Sequence, residues 1–244
     1  MSGKVYLVDG SSYIFRAFYA VAPLTNSAGF PTNALYGYTR MLRKLLEQAN
    51  SGHVAVVFDP GGKTFRHELY PEYKANRTEC PEELSVQMPY FRELTAALGI
   101  PVLEQAGYEA DDVIGALTHR LALANIETVL VSGDKDLMQL VGEHISMWDT
   151  MKDKRYGVAE VQAKFGVPPS KVVEVLALMG DSSDNIPGLK GVGPKTATQL
   201  IEKYGDIETL MAKREDLLGD SSIRSRKKVY AALEAEQDLS LIHI

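Results

Sequence analysis

Three short apolar runs, at residues 4–8 (Lys-Val-Tyr-Leu-Val), 54–58 (Val-Ala-Val-Val-Phe) and 128–131 (Thr-Val-Leu-Val), are spread over the first two-thirds of the chain. They are rich in β-branched residues and shorter than an ordinary helix, so they read as buried strands. Between them the apolar spacing turns helical. Leu35, Leu42, Leu45, Leu46 and Ala49 form one stripe within residues 34–49, and Val113, Ile114, Leu117 and Leu121 form another within 111–124. Residues 81–98 read as one further helix with Pro81 in its first turn, and 101–103 as a short strand. Strands that are apolar along their whole length cannot leave a sheet face in water. The predicted fold is therefore α/β, a mostly parallel central sheet flanked by helices on both sides.

From about residue 158 the pattern is all helical. Val172, Val175, Leu176 and Met179 follow helical spacing, and so do Ala197, Leu200, Ile201 and Tyr204. The expected organisation is an α/β core over 1–157 and a helical region over 158–244. Residues 60–78 are polar, carry Lys63, Arg66, Lys74 and Arg77, and interleave them with Phe65, Tyr70 and Tyr73. That is long for a strand-to-helix connection, and it reads as either a functional arch or a merely variable loop. Residues 239–244 end the chain on an apolar run, which predicts a fragment truncated from something longer.

The 244 residues are 45% hydrophobic and 24% charged, within the ordinary globular range. A single cysteine, Cys80, excludes an internal disulfide framework and fits a reducing compartment. No signal-peptide pattern, membrane-length segment or oligomerisation seam is visible. The expectation is a soluble, cytoplasmic monomer without membrane attachment. The net charge of −6 argues at first against nucleic acid, but its distribution does not. Residues 78–184 hold 18 acidic against 8 basic side chains, whereas 63–77 hold 4 basic against 2 acidic and 185–230 hold 9 against 6. An acidic middle flanked by basic pieces suits a metal site acting on a polyanion, and equally a solvated acidic face.

Acids recur where strands end. Asp9 follows the first run, Asp59 the second, and Asp134 and Asp136 the third; Glu109, Asp111 and Asp112 open a helix, and Asp181 and Asp184 lie in Gly-Asp-Ser-Ser-Asp-Asn. Singly, each reads as a turn residue or a helix cap. Together, at the carboxyl ends of a parallel sheet, they would meet where α/β folds place their chemistry. So many carboxylates cannot stay ionised in one pocket without a counter-charge. Hard oxygen donors select Mg2+ or Mn2+, and two such ions can stabilise the attacking and leaving oxygens of a phosphodiester displacement. A second motif, Gly188-Leu-Lys-Gly-Val-Gly-Pro-Lys-Thr-Ala197, combines glycines for a tight turn with Pro194 at a helix start and with Lys190 and Lys195. Its free amides suit a backbone phosphate, although a Gly-rich hairpin is also a purely structural turn.

In combination these motifs resemble the 5′ nuclease family of flap endonucleases and 5′→3′ exonucleases. Within it they are most similar to the N-terminal nuclease domain of bacterial DNA polymerase I. The likeness covers nearly the whole chain. It rests on Leu-Val-Asp-Gly-Ser at 7–11, Arg-Ala-Phe-Tyr-Ala at 16–20, Val-Phe-Asp at 57–59 and Tyr-Lys-Ala-Asn-Arg at 73–77. It continues through Glu-Ala-Asp-Asp at 109–112, Gly-Asp-Lys-Asp at 133–136, Gly-Asp-Ser-Ser-Asp-Asn-Ile-Pro-Gly at 180–188 and Gly-Val-Gly-Pro-Lys-Thr-Ala at 191–197. One departure is Thr78-Glu-Cys-Pro81, where the family usually has Pro-Pro-Met-Pro.

The resemblance implies a PIN-like α/β nuclease core with an arch at about 60–95, and a helix–three-turn–helix DNA-binding hairpin at about 180–213. It implies two Mg2+ (or Mn2+). Glu109, Asp111, Asp112 and Asp134 match the acids around one ion, completed by Asp9 and Asp59 partly through water, and Asp136, Asp181 and Asp184 match those around the other. Lys74 and Arg77 match arch residues that engage the scissile phosphate, and with Asp134 they are the expected catalytic residues. Arg16 and Tyr73 match substrate contacts. Lys190, Gly191, Val192, Gly193, Lys195 and Thr196 match a grip on duplex DNA, where K+ can bridge to phosphate. The implied activity is 5′→3′ exonuclease and 5′-flap endonuclease cleavage of branched DNA in primer removal and repair, with a DNA polymerase fused or cooperating. The alternatives are a non-catalytic flap-binding module, a metal-dependent ribonuclease of related fold and an acidic-site phosphatase.

Overall fold

The computed structural model describes residues 3–50 and 53–235; the apolar ending at 239–244 lies outside the described residues. In chain order the elements are β1 (Val5–Asp9), α1 (Gly10–Ala20), α2 (Asn33–Ala49), β2 (Val54–Val57), α3 (Phe65–Leu69), α4 (Glu82–Ser85), α5 (Tyr90–Ala97), β3 (Val102–Leu103), α6 (Ala110–Leu123), β4 (Thr128–Val131), β5 (Ile145–Asp149), β6 (Lys154–Tyr156), α7 (Val158–Phe165), α8 (Val172–Met179), α9 (Pro194–Tyr204), α10 (Ile207–Ala212), α11 (Asp216–Gly219) and α12 (Arg226–Ala235). The chain divides into two compact units. One comprises Met1–Phe65, Thr78–Leu137 and Glu143–Arg155; the other comprises Arg66–Arg77, Met138–Gly142 and Tyr156–Ile244.

The first unit is built on a sheet of order β3-β2-β1-β4-β5-β6. β1 pairs in parallel with β2 and β4, β2 with β3, and β4 with β5. β6 returns after residues 150–153, a connection short enough only for an antiparallel neighbour. The mostly parallel sheet with flanking helices is thus the architecture that the alternating pattern predicts. Tyr6 and Val8 of β1, Val54 and Val56 of β2, and Val129 and Val131 of β4 face one side, in one core with Tyr13, Ile14 and Ala17 of α1, Tyr38, Leu42 and Leu45 of α2, and Phe91 of α5. Leu7, Val57 and Leu130 alternate with them and are equally buried on the opposite side, where α6 lies against β1, β2 and β4. Gly37 permits the close approach of α1 to α2, since a Cβ there would lie 2.8 Å from Val21 and 3.1 Å from Ala17.

The single helix expected over 81–98 is corrected. It breaks into α4 and α5, with a turn at 86–89. Pro89 has no N–H to continue the helical ladder and disfavours helical backbone before it. The buried Gln87 fixes that break, donating to Asn33 Oδ1 at 3.1 Å and accepting from Leu35 N at 3.1 Å.

The second unit is helical where the 3.6-residue spacing required it. Ala197, Leu200, Ile201 and Tyr204 of α9 are all buried, as are Val172, Val175 and Leu176 of α8. The unit also claims residues 66–77, which a reading of local pattern assigns to the α/β core. The reason is a set of contacts between residues more than a hundred positions apart. Lys74 N donates to Asp184 O at 2.9 Å, Asn76 Nδ2 to Ser182 O at 2.7 Å and Asn185 Nδ2 to Glu72 O at 2.7 Å, while Tyr73 packs on Ile186.

Candidate metal centre and nucleic-acid interface

β1, β2 and β4 run parallel and adjacent, so the loops leaving their carboxyl ends emerge at one edge of the sheet. Asp9, the last residue of β1, is also the N-cap of α1. Its carboxylate accepts from Ser12 N at 2.9 Å and from Ser132 Oγ, just past β4, at 2.8 Å. Asp59, two residues past β2, accepts from Ala110 N at the start of α6 at 2.8 Å and from the Ser11 hydroxyl. Asp134 accepts from Asp136 N at 2.9 Å, and its own amide donates to Ser132 Oγ at 3.0 Å. Asp112 accepts from Glu109 N at 2.9 Å, closing a capping box that fixes the acidic start of α6.

Electrostatics tie three of these together. Asp9 is 6% exposed, and burial pushes its carboxyl up to about 6; the nearby Asp59 and Asp134 carboxylates push the same way, while the Ser12 and Ser132 hydrogen bonds oppose them. Among the described residues, Asp9, Asp59 and Asp134 have only neutral donors. Three neighbouring carboxylates served directly by amides and hydroxyls alone leave room for the charge that a hard divalent cation would supply. The donors are all oxygens, with no thiolate or imidazole in the set, which suits a hard divalent cation. Among the described residues no three His, Cys, Asp or Glu side chains are grouped tightly enough to hold an ion by themselves. Glu109, Asp111 and Asp112 at the start of α6, and Asp136 at the start of a short 3-10 turn, belong to the same unit.

Asp181 and Asp184 belong to the second unit. There Gly180 and Gly188 close a tight loop, since a Cβ on Gly188 would lie 2.2 Å from the Met179 carbonyl carbon and 2.3 Å from Gly180 N. Asp181 pairs with Ile186 through both backbone bonds, at 2.8 and 2.9 Å. Asp184 is bound by Tyr73 OH at 3.1 Å, Arg77 Nη2 at 2.5 Å and Lys74 Nζ at 3.8 Å. The structure thus brings Tyr73, Lys74 and Arg77 together on one carboxylate, with Lys74 in the left-handed backbone region at φ 58°.

In the hairpin, Leu189 and Val192 are buried anchors, whereas Lys190, Gly191, Gly193 and Lys195 are exposed and Thr196 is half-buried. Gly191 takes φ +82°, and Pro194 occupies the first turn of α9. Val192 can therefore offer a ligand its backbone but not its side chain. In the first unit, Arg16 is half-buried and bonds Asp149 at 3.2 Å. Sequence pattern alone does not single out Asp149, Ser11 or Ser132. The strand-end rule that finds Asp9 would also find Asp149, which closes β5, if the mixed run Ile-Ser-Met-Trp read as a strand.

A model of the 5′-3′ exonuclease N-terminal resolvase-like domain matches residues 4–166, and one of the 5′-3′ exonuclease C-terminal SAM fold matches 167–243. The chain belongs to the 5′-3′ exonuclease family. A 5′-3′ exonuclease of Aquifex aeolicus is 43% identical over 225 residues, covering 87% of this chain and 78% of that protein. The DNA polymerase I of Rhizobium leguminosarum is 44% identical over 238 residues, covering 94% of this chain but 23% of the polymerase. The chain thus spans about a quarter of that relative's length. In fold it is similar to the phage T5 D15 protein crystallised with metal ions, with TM-score 0.76 and 23% identity over 97% of this chain and 86% of the other. A T5 D15 flap endonuclease complex with DNA and metal ions gives TM-score 0.77 at 23% identity, over 97% and 85%. The family's two parts meet after α7, whereas the compact units divide just before it.

Proposed function

We propose that this family member is a structure-specific 5′ nuclease, working as a monomer on branched or 5′-flapped duplex DNA. It would act both as a 5′→3′ exonuclease and as a flap endonuclease, with two Mg2+ or Mn2+ ions, in primer removal and repair beside a DNA polymerase. The observation that carries this reading is the convergence of Asp9, Asp59 and Asp134 at the ends of three adjacent parallel strands, served only by neutral donors, with Asp9 raised to about 6. Such a set is costly without a cation and suited to one.

Bound divalent ions would supply the positive charge that stabilises the attacking and leaving oxygens. The first ion falls to Asp9, Asp59, Glu109, Asp111, Asp112 and Asp134; assigning the second to Asp136, Asp181 and Asp184 rests on their motifs. The chain's own residues do the rest. Lys190, Lys195 and the amides of the 191–193 turn hold the duplex by its backbone, where a bound K+ would add positive charge, so binding is salt-sensitive and blind to base sequence. Thr196 adds a hydroxyl donor. Lys74 and Arg77 exchange the Asp184 carboxylate for the scissile phosphate and offset the charge that develops on it, while Tyr73 and Arg16 position the strand. Unpairing the junction nucleotide costs least at ends and flaps, which gives selectivity for structure rather than sequence.

The test is cleavage of a 5′-end-labelled flap duplex with Mg2+ or with EDTA, beside a 3′-flap control. Metal-dependent cutting near the 5′ junction, with the control spared, is the expected result. Binding without cutting in both Mg2+ and Mn2+ would replace this reading with the non-catalytic flap-binding module.

A further inference from the structure

Asp149 closes β5 with its side chain 2% exposed. A buried carboxylate needs several donors, and this one has them: Met151 N at 3.1 Å, Lys152 N at 3.4 Å, Lys152 Nζ at 3.4 Å and Arg16 Nη1 at 3.2 Å. The Tyr13 hydroxyl bonds Thr150 Oγ1 at 2.9 Å, tying the turn that carries these donors back to α1, which carries Arg16. Arg16 has no other hydrogen-bond or ion-pair partner among the described residues. A guanidinium has five N–H donors, and with its side chain 23% exposed most of them are open to solvent or to a ligand.

Gly133 shows where those donors sit. A Cβ on Gly133 would lie 1.4 Å from Arg16 Nη2 and 2.6 Å from Cζ. The Nη2 end of the guanidinium therefore occupies the place of a Gly133 Cβ, end-on against the backbone one residue before Asp134. Gly133 is not in the left-handed region, so what a side chain there would meet is the arginine and not a strained turn.

The geometry points to Asp149 and Gly133 as the positioning pair for Arg16, holding its free donors beside the strand-end carboxylates to take a phosphate oxygen of the bound strand. Asp149 fixes the guanidinium from one side, and the bare Gly133 backbone leaves it room on the other. A planar fork with open N–H groups matches two oxygens of a phosphate, and the ion pair with Asp149 holds that fork still before substrate arrives. This inference rests on the nuclease reading above and adds two residues to it, neither of which touches substrate.

Two variants approach Arg16 from opposite sides. Asp149→Asn removes the charge of the anchor, and Gly133→Ala pushes against the far end of a flexible side chain. Each should lower flap cleavage by roughly 10- to 100-fold, the scale of a displacement of about 1 Å. In an Arg16→Ala background each should change the rate less than about twofold, because the residue through which they act is gone. A readout apart from activity is the NMR exchange of the Arg16 guanidinium, expected to be restricted in the parent and released in Asp149→Asn. Losses that multiply in the Arg16→Ala background overturn the proposal and leave the nuclease reading intact, as does a released guanidinium with unchanged cleavage. A parent that cuts no flap in Mg2+ or Mn2+, although its Arg16 is restricted, overturns the nuclease reading and the phosphate role with it.

Discussion

The acids that the sequence nominates for one chemistry stand in two electrostatic conditions. At the sheet edge, Asp9, Asp59 and Asp134 are met by amides and hydroxyls, and Asp9 is pushed up to about 6 by burial and by its neighbours. In the helical unit, Asp184 is met by Arg77, Lys74 and the Tyr73 hydroxyl. The first set has no cation among its direct donors, the condition a divalent cation relieves. The second is already compensated, and by the two cations expected to handle phosphate. A carboxylate count therefore says less about a metal site than the identity of each carboxylate's donors.

The largest effect should come from the first set. Asp134 is exposed and accepts one hydrogen bond, from Asp136 N. Asp134→Ala should cost about 1 kcal/mol of stability or less while lowering flap cleavage more than about 10³-fold, on the scale of removing a principal electrostatic group from an active site. DNA binding in EDTA should be nearly unchanged. Undiminished turnover would remove the sheet edge from the chemistry and erase the contrast.

Next is the loop on which the compensated carboxylate depends. Gly188→Ala would drive a methyl carbon to 2.2 Å from the Met179 carbonyl carbon and 2.3 Å from Gly180 N, and backbone cannot rotate away as a side chain does. We expect a loss of about 3 kcal/mol in urea unfolding, at the upper end of overpacking costs. Parent-like stability would mean that the loop is far more pliable than its contacts imply.

How much of this is legible in the sequence depends on range. β1, β2, β4, α2 and α6 are marked by local periodicity, and so are the acids that end those strands. α1 is not, because it starts at Gly10-Ser-Ser, poor helix formers that a strand-end Asp9 cap converts into a helix N-terminus. The split between α4 and α5 is written in an internal proline, Pro89, although the opening Pro81 invites a single helix. Local pattern places residues 66–77 with their neighbours in sequence, whereas they fold with the 181–186 loop through Lys74, Asn76 and Asn185, contacts that no local pattern encodes. Asp149 stays hidden because Ser146 interrupts the apolar run of β5.

Arg77→Ala removes a cation from the compensated carboxylate. Its pair with Asp184 is half exposed, so its removal should change stability by about 1 kcal/mol or less. Cleavage should fall by roughly 10²-fold if the guanidinium offsets charge on the phosphate. A loss of stability without a loss of rate would make the pair a structural latch and nothing more.

The smallest effect belongs to a carboxylate compensated like Asp184 but outside every proposed site. Asp220 accepts from Lys203 Nζ at 2.5 Å, Ser222 Oγ at 2.6 Å and Ser222 N at 2.9 Å, and these donors, Lys203 first, hold its carboxyl down at about 2. Its ordinary value of 3.8 applies in the unfolded chain. A depressed carboxylate favours the fold when ionised, so its contribution is complete above about pH 4 and disappears as pH falls through about 2. Asp220→Asn removes it at every pH. The stability gap between parent and variant should therefore be small and constant from pH 7 to about pH 4, then close toward pH 2, as followed by thermal unfolding. A gap that persists at pH 2 would mean that the hydrogen bonds from Ser222 matter and the charge does not, and compensation by cations would then explain less of the helical unit than its ion pairs suggest.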